Sequence, residues 1–289
     1  MQLRERIEEG IGTGAMSGRL WLYSNYHCNL ACHYCLTESS PTVPKRILPK
    51  ERMTALASEA KELGFTCIGI TGGEPFIVPW LVDAIEEISS ELPLTVLTNG
   101  TLFVGKRLDE VTRLGGLDVR LQISLDRPNP IDNDAMRGPH NFAKVVEAIP
   151  KLIDRGIHVR IASTIDSQTE HEKSALEDLV ASLGVAKEDH VLRVIVDRGR
   201  AGAEGMGVRA PLEQLPPELT ITTAGAFYSP YAPTYQDGKL QKDLLLTQKT
   251  NPLRHSAHPE RRLSGRDRRF RPDKSSGRSS ATVPTGPVA

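Results

Sequence analysis

The sequence predicts an α/β fold: a partial (β/α)6 barrel with a small C-terminal extension and a disordered tail. Three patterns predict it: short β-branched runs alternate with helical stretches, glycines follow three of those stretches, and strand interiors alternate between apolar and polar side chains. Repeated strand-helix units imply a parallel sheet joined by right-handed crossovers, and six such units make an incomplete barrel.

Residues 19–24, 66–70, 94–98, 119–124, 159–164 and 191–196 read as the six strands, and residues 51–63, 80–89, 142–154 and 172–183 as the helices between them. Gly64, Gly156 and Gly184 stand just past three helices, where a left-handed residue ends the last turn. On the fourth strand Leu121, Ile123 and Leu125 take one face, while Gln122, Ser124 and Asp126 take the other. Arg160 and Thr164, then Arg193 and Asp197, continue the polar face. The inner positions of a complete barrel are normally filled by bulky apolar groups, so this polar lumen reads as a binding chamber.

Residues 1–17 read as an N-terminal segment, 18–200 as the barrel, 201–250 as an extension covering its open side, and 251–289 as a tail. Within the extension, Phe227, Tyr228, Tyr231 and Tyr235 read as packing residues. The formal net charge of zero conceals an acidic body and a tail with nine Lys or Arg against three acidic residues. Such a tail favours solvation over packing, and with no basic stripe in the body nucleic acid is not an expected partner. No stretch approaches the ~20 apolar residues of a membrane span. Without a secretory segment over residues 1–18, and with only four cysteines, a cytoplasmic protein is expected.

The chemistry concentrates in the run Cys28-Asn29-Leu30-Ala31-Cys32-His33-Tyr34-Cys35. Three closely spaced thiolates hold a metal centre while leaving one position open, as iron-sulfur ligation allows. Zinc is the alternative, with His27 or His33 as fourth ligand, and inert thiols are the third reading. The remaining cysteine, Cys67, lies in the apolar second strand. A second motif, Thr71-Gly72-Gly73-Glu74-Pro75, ends that strand before a helix. Glycines there permit close backbone approach to a ligand, and the Glu74 carboxylate suits an ammonium group.

Together the two motifs resemble the radical S-adenosylmethionine (radical SAM) superfamily, whose fold is a partial TIM-like barrel. The resemblance covers about residues 18–200. It implies a [4Fe-4S] cluster on Cys28, Cys32 and Cys35, with S-adenosylmethionine on the open iron, cleaved by one electron to a 5′-deoxyadenosyl radical that abstracts hydrogen from a substrate. It also implies that Gly72, Gly73, Glu74 and Pro75 bind the amino group of the methionine moiety and that Tyr34 lies against the adenine. Leu97-Thr98-Asn99-Gly100, Gln122-Ile123-Ser124-Leu125-Asp126 and Met136-Arg137-Gly138 are similar to the branch of molybdenum-cofactor enzymes and SPASM-like peptide maturases. That similarity assigns Ser124, Arg137 and Asn99 to S-adenosylmethionine. No cysteine follows Cys67, so auxiliary clusters are not expected. The implied partners are an electron donor such as flavodoxin or ferredoxin and a substrate that is a peptide, cofactor precursor or metabolite. The competing functional class is a non-catalytic metal- or cluster-binding interaction protein.

Overall fold

The computed structural model describes residues 2–166, 169–211 and 214–257. Helix α1 (Leu3–Gly12) opens the chain in the segment expected to precede the barrel. Then come β1 (Arg19–Tyr23), α2 (Lys50–Glu62), β2 (Cys67–Thr71), α3 (Leu81–Ser89), β3 (Leu94–Thr98), α4 (Gly105–Val111), β4 (Val119–Ser124), α5 (Pro130–Arg137), α6 (Asn141–Ile153), β5 (His158–Ile165), α7 (Glu170–Ser182), β6 (His190–Val194) and α8 (Arg200–Ala203). Strands β1 to β6 pair in parallel in chain order. All six expected strands and all four expected helices are therefore present. Gly64, Gly156 and Gly184 adopt φ of +90°, +73° and +86°, the left-handed stop the sequence required.

The sheet is open, and its two faces differ in chemistry as the alternation predicted. Leu20, Leu22, Ile68, Ile70, Leu121, Ile123 and Ile161 pack against the helices in the main core. Their neighbours on the other face include Trp21, Gly69 and Thr95, aligned across three strands by register. Gln122 pairs with Arg160 on that face, and Thr164 with Arg193.

The extension differs from expectation. Strands β7 (Leu219–Thr222), β8 (Gly225–Tyr228), β9 (Tyr235–Gln236), β10 (Lys239–Leu240) and β11 (Leu245–Thr247) follow. β7 pairs in parallel with β1, and β8 and β11 add beyond it antiparallel, so these strands widen the sheet from the β1 edge instead of closing the gap at β6. The free hydrogen-bonding edge of β1 makes this addition possible. What covers the inner face is the loop after β8 together with the β9–β10 hairpin, whose Tyr235 packs on Tyr26 with ring centroids 5.5 Å apart. Phe227 is buried with Leu215, Ala232 and Leu244, as expected of a packing residue.

The expected boundary after residue 250 also moves. Residues 251–257 pack on α2: Leu253 and Ala257 are fully buried, the Leu253 amide donates to Glu59, and Arg52 Nη2 donates to the Thr250 carbonyl at 2.5 Å. Two apolar residues in seven leave no periodic signal, which is why the sequence hides this anchor. The rest of the tail, residues 258–289, lies outside the described residues. Burial of a leucine contributes about 1.5–3 kcal/mol. A chain ending at Thr250 is therefore expected to be about 3 kcal/mol less stable than one ending at Ala257, measured by denaturant midpoint. Coincident midpoints would show that this anchor contributes nothing.

Candidate active site at the strand ends

The cysteine loop follows β1 and rests on the ends of its neighbours, the edge of a parallel sheet where ligands gather. The chain from Ser24 to His27 continues the pairing of β1 with β2: Ser24 N–H donates to the Thr71 carbonyl at 2.8 Å, Gly73 N–H to Asn25 at 2.8 Å, and Glu74 N–H to His27 at 2.9 Å. This contact explains both glycines. A Cβ on Gly73 would sit 2.1 Å from the His27 carbonyl oxygen, and one on Gly72 would sit 2.6 Å from Ser24 Oγ. The close approach they permit is to the chain leading into Cys28.

Cys28, Cys32 and Cys35 line one cavity of about 170 Å³ with Tyr34, Gly72, Gly73, Asn99, Ser124 and Arg137. Nearly every predicted site residue is thus brought to one place. Cys67 is not among the lining residues. It sits at the opposite end of β2, level with Arg19. Among the described residues the sulfurs make only long contacts: Leu30 N–H to Cys28 at 3.4 Å, Asn99 Nδ2 to Cys28 at 3.7 Å, Cys32 to the Arg137 carbonyl at 3.6 Å, and Cys35 with the Thr37 hydroxyl at 3.6 Å. Burial first, and then the Glu74 charge, pushes the Cys28 thiol up to about 12, so it must shed a proton to become a ligand. Burial likewise pushes Cys32 up.

The donor set discriminates between metals. Among the described residues no three His, Cys, Asp or Glu side chains are gathered so as to hold one metal ion. Neither His27 nor His33, the candidate zinc histidines, is among the residues that line the cavity with the three thiols; their Nδ1 atoms are engaged by the Val43 carbonyl at 2.9 Å and by Glu204 at 2.7 Å. Three soft thiols spread around a cavity, with no hard oxygen ligand among them, fit an iron-sulfur cluster instead.

Glu74 is engaged by the protein itself. It is fully buried and absent from the cavity wall. One oxygen accepts from Phe76 N–H at 3.0 Å and Thr98 Oγ1 at 2.8 Å, the other from Asn99 N–H at 2.8 Å. Burial pushes its carboxyl upward against the pull of those hydrogen bonds and of Arg137. A carboxylate committed in this way ties the end of β2 to the end of β3, with three protein donors already on its roughly four acceptor positions. Pro75, equally buried, begins the helical turn that follows.

Tyr34 and Arg137 meet at Asp126, a buried carboxylate beyond the end of β4. Its Oδ2 accepts from Tyr34 Oη at 2.5 Å and Arg137 Nη1 at 3.1 Å, while its Oδ1 accepts from Thr164 N–H at 2.8 Å. The Arg137 guanidinium carbon lies 5.8 Å from the Tyr34 ring centroid. Asp126 therefore fixes the ring at the cavity wall. Among the described residues Arg137 Nε is buried without a hydrogen-bond partner, an orphan donor on a residue that lines the cavity, as a carboxylate or ribose ligand would require.

Two anchoring residues escaped the sequence reading. Asp126 was visible only as one more polar lumen position, although its place just past a strand end was a usable signal. Arg200 carried no motif. It follows Gly199 after β6, and its guanidinium donates to the carbonyls of Cys32 and Ser39 while its amide donates to Cys35 at 3.0 Å. The last strand thus clamps the cysteine loop from the far side.

Known proteins agree with this geometry. Residues 22–180 match the Radical SAM superfamily model. The chain is 36% identical over 136 residues to a GTP 3′,8-cyclase of Syntrophomonas wolfei, covering 45% of this chain and 41% of that protein. It is 31% identical over 161 residues to the antilisterial bacteriocin subtilosin biosynthesis protein AlbA of Bacillus subtilis, covering 55% and 36%. The crystal structure of Streptococcus suis SuiB bound to S-adenosylmethionine superposes with a TM-score of 0.54 at 18% identity, over 66% of this chain and 44% of that one, which shows a shared fold. The chain spans less than half the length of each of these three proteins. With a family match over more than half of its length, joined to a cysteine loop seated on the ends of a parallel sheet, the chain belongs to the radical SAM superfamily, enzymes that use a [4Fe-4S] cluster and S-adenosylmethionine.

Proposed function

We propose that this protein generates a radical from S-adenosylmethionine and uses it to abstract hydrogen from a peptide or small-molecule substrate. The observation that carries the reading is the pairing of two cavities. The one holding the three thiols shares Thr71 and Leu97 with a second cavity on the inner face of the sheet. Cys28, Cys32 and Cys35 would hold the [4Fe-4S] cluster, and Gly72, Gly73, Asn99, Ser124 and Arg137 would surround S-adenosylmethionine, with Tyr34 beside its adenine. When bound, this pair supplies a carbon radical strong enough to break an unactivated C–H bond.

The chain's own part is placement. Asp126 holds Tyr34 and Arg137 at the wall, Arg200 fixes the loop carrying the thiols, and the loop after β8 shields the inner face from water. A flavodoxin or ferredoxin in a reducing cytoplasm would supply the electron. The relatives' printed names favour a peptide or a nucleotide-derived cofactor precursor: AlbA serves bacteriocin biosynthesis, the cyclase is named for GTP, and SuiB has been crystallised with its precursor peptide SuiA.

The test is an anaerobic reaction of reconstituted full-length protein with dithionite and S-adenosylmethionine, followed by mass spectrometry. Methionine and 5′-deoxyadenosine are expected in equal amounts, slowly without substrate and faster with it. A cluster-loaded protein that forms neither with any low-potential reductant would favour the non-catalytic reading instead.

A further inference from the structure

The second cavity, about 150 Å³, has walls that are almost entirely aromatic or apolar: Trp21 and Tyr23 from β1, Leu36, and Pro230, Tyr231 and Pro233 from the loop after β8. Gly69 makes room for this wall, because a Cβ there would come within 2.3 Å of the Trp21 ring. Trp21 is itself fixed from behind, its Nε1 donating to the buried Glu218. Among the lining residues only Arg193, from β6, carries a charge.

The inner-face arginines differ in how well they are matched. Arg160 Nε lies 3.3 Å from Asp189, and Arg19 lies 3.9 Å from Glu218 and stacks over Trp21 at 5.4 Å. Arg193 has no such partner. Among the described residues its guanidinium makes one long contact, 3.4 Å to the Gln122 amide oxygen, and no carboxylate stands at ion-pair distance. Burial works most against its charge, Tyr231 and the more distant Glu218 carboxylate favour it, and the like charges of Arg19 and Arg160 oppose it. A largely desolvated guanidinium with only a weak neutral acceptor is stabilised by any anion that enters, and its planar fork suits a carboxylate or phosphate. One uncompensated positive charge matches a monoanion better than a phosphate dianion. The cavity is also smaller than the roughly 300–1,000 Å³ of a typical small-molecule site, so it takes a fragment of side-chain size.

We propose that Arg193 is a specificity residue that binds a carboxylate of the substrate, an acidic side chain or a terminal carboxyl, and orients the substrate toward the wall shared with the cysteine cavity. The assignment rests on the functional reading above and names the chemical class of its substrate.

Ligand-observed NMR titrations of the cluster-loaded full-length protein with S-adenosylmethionine test it. The probes are N-acetylglutamate N-methylamide, its neutral glutamine analogue, N-acetylalanine and inorganic phosphate. One or both carboxylates are expected to bind about tenfold more tightly than the glutamine analogue, the size of a lost charge-assisted hydrogen bond. The better acid identifies the source as side chain or terminus. Arg193→Gln is expected to erase the preference and Arg193→Lys to keep part of it, with thermal melts of both variants reporting the fold. Equal binding of acid and amide, no binding of any probe, or a preference surviving in Arg193→Gln would overturn the assignment. Phosphate binding more tightly than either acid would overturn it in favour of a phosphorylated substrate. Cleavage of S-adenosylmethionine, measured on the unaltered protein without probe, fails or succeeds independently.

Discussion

Alanine at Cys28, Cys32 or Cys35 is expected to leave a folded but colourless protein, whereas Cys67→Ala is expected to retain about four irons and four sulfides per chain after anaerobic reconstitution. The three loop cysteines face one cavity, and loss of any one leaves too few thiolates to hold the cluster. Their sulfurs make only contacts of 3.4 to 3.7 Å, so little apo-state stability goes with them, and circular dichroism should be unchanged. Cys67 begins β2 and Thr71 ends it. Four steps at about 3.3 Å place Cys67 some ~13 Å back along the strand, beyond the reach of a shared cluster. Methionine and 5′-deoxyadenosine should vanish in the three loop variants and persist in the fourth. If Cys67→Ala emptied the protein of iron as completely, an all-cysteine closed site would replace the open one.

Much of this was legible because it depends on local pattern. The strand spans follow from β-branched runs, and their two faces from alternation, which the register of Gln122 with Arg160 preserves across strands. The cysteine spacing and the Gly-Gly-Glu turn marked the site itself. What stayed hidden was direction and distance. A motif places Glu74 beside a ligand-binding loop without saying that its carboxylate turns inward to Thr98 and Asn99. Tyr231 read as packing, yet it lines the second cavity because the loop that carries it folds over β1. The Arg200 clamp joins residues 168 positions apart in the sequence, and no short window reports that.

The inward turn of Glu74 and the contacts of the two glycines recast the motif as a hinge between strands, and this gives the second large effect. Gly73→Ala puts a methyl 2.1 Å from the His27 carbonyl oxygen and 2.5 Å from its carbon. Both are backbone atoms one residue before Cys28, so no side chain can swing away to relieve the overlap. Overpacking of this kind costs about 1–3 kcal/mol where side chains yield and more where backbone must move, so a loss of about 3 kcal/mol is expected. The same shift displaces Cys28, and iron content after reconstitution should fall although no ligand has been altered. Glu74→Gln should act through the same joint. One amide end must now face N–H or O–H donors that the carboxylate accepted, at about 1–3 kcal/mol for the unmatched group. Gly72→Ala, whose new methyl meets the Ser24 hydroxyl at 2.6 Å and the Asn25 backbone oxygen at 2.8 Å, should be milder than Gly73→Ala because its nearest contact is a side chain and its backbone overlap is shallower. Denaturant midpoints and iron content are expected to decline together, Gly73→Ala most. If Gly73→Ala and Glu74→Gln instead kept full stability and full iron while losing affinity for S-adenosylmethionine, the motif would act on the ligand alone, and its role as a brace for the cysteine loop would be wrong.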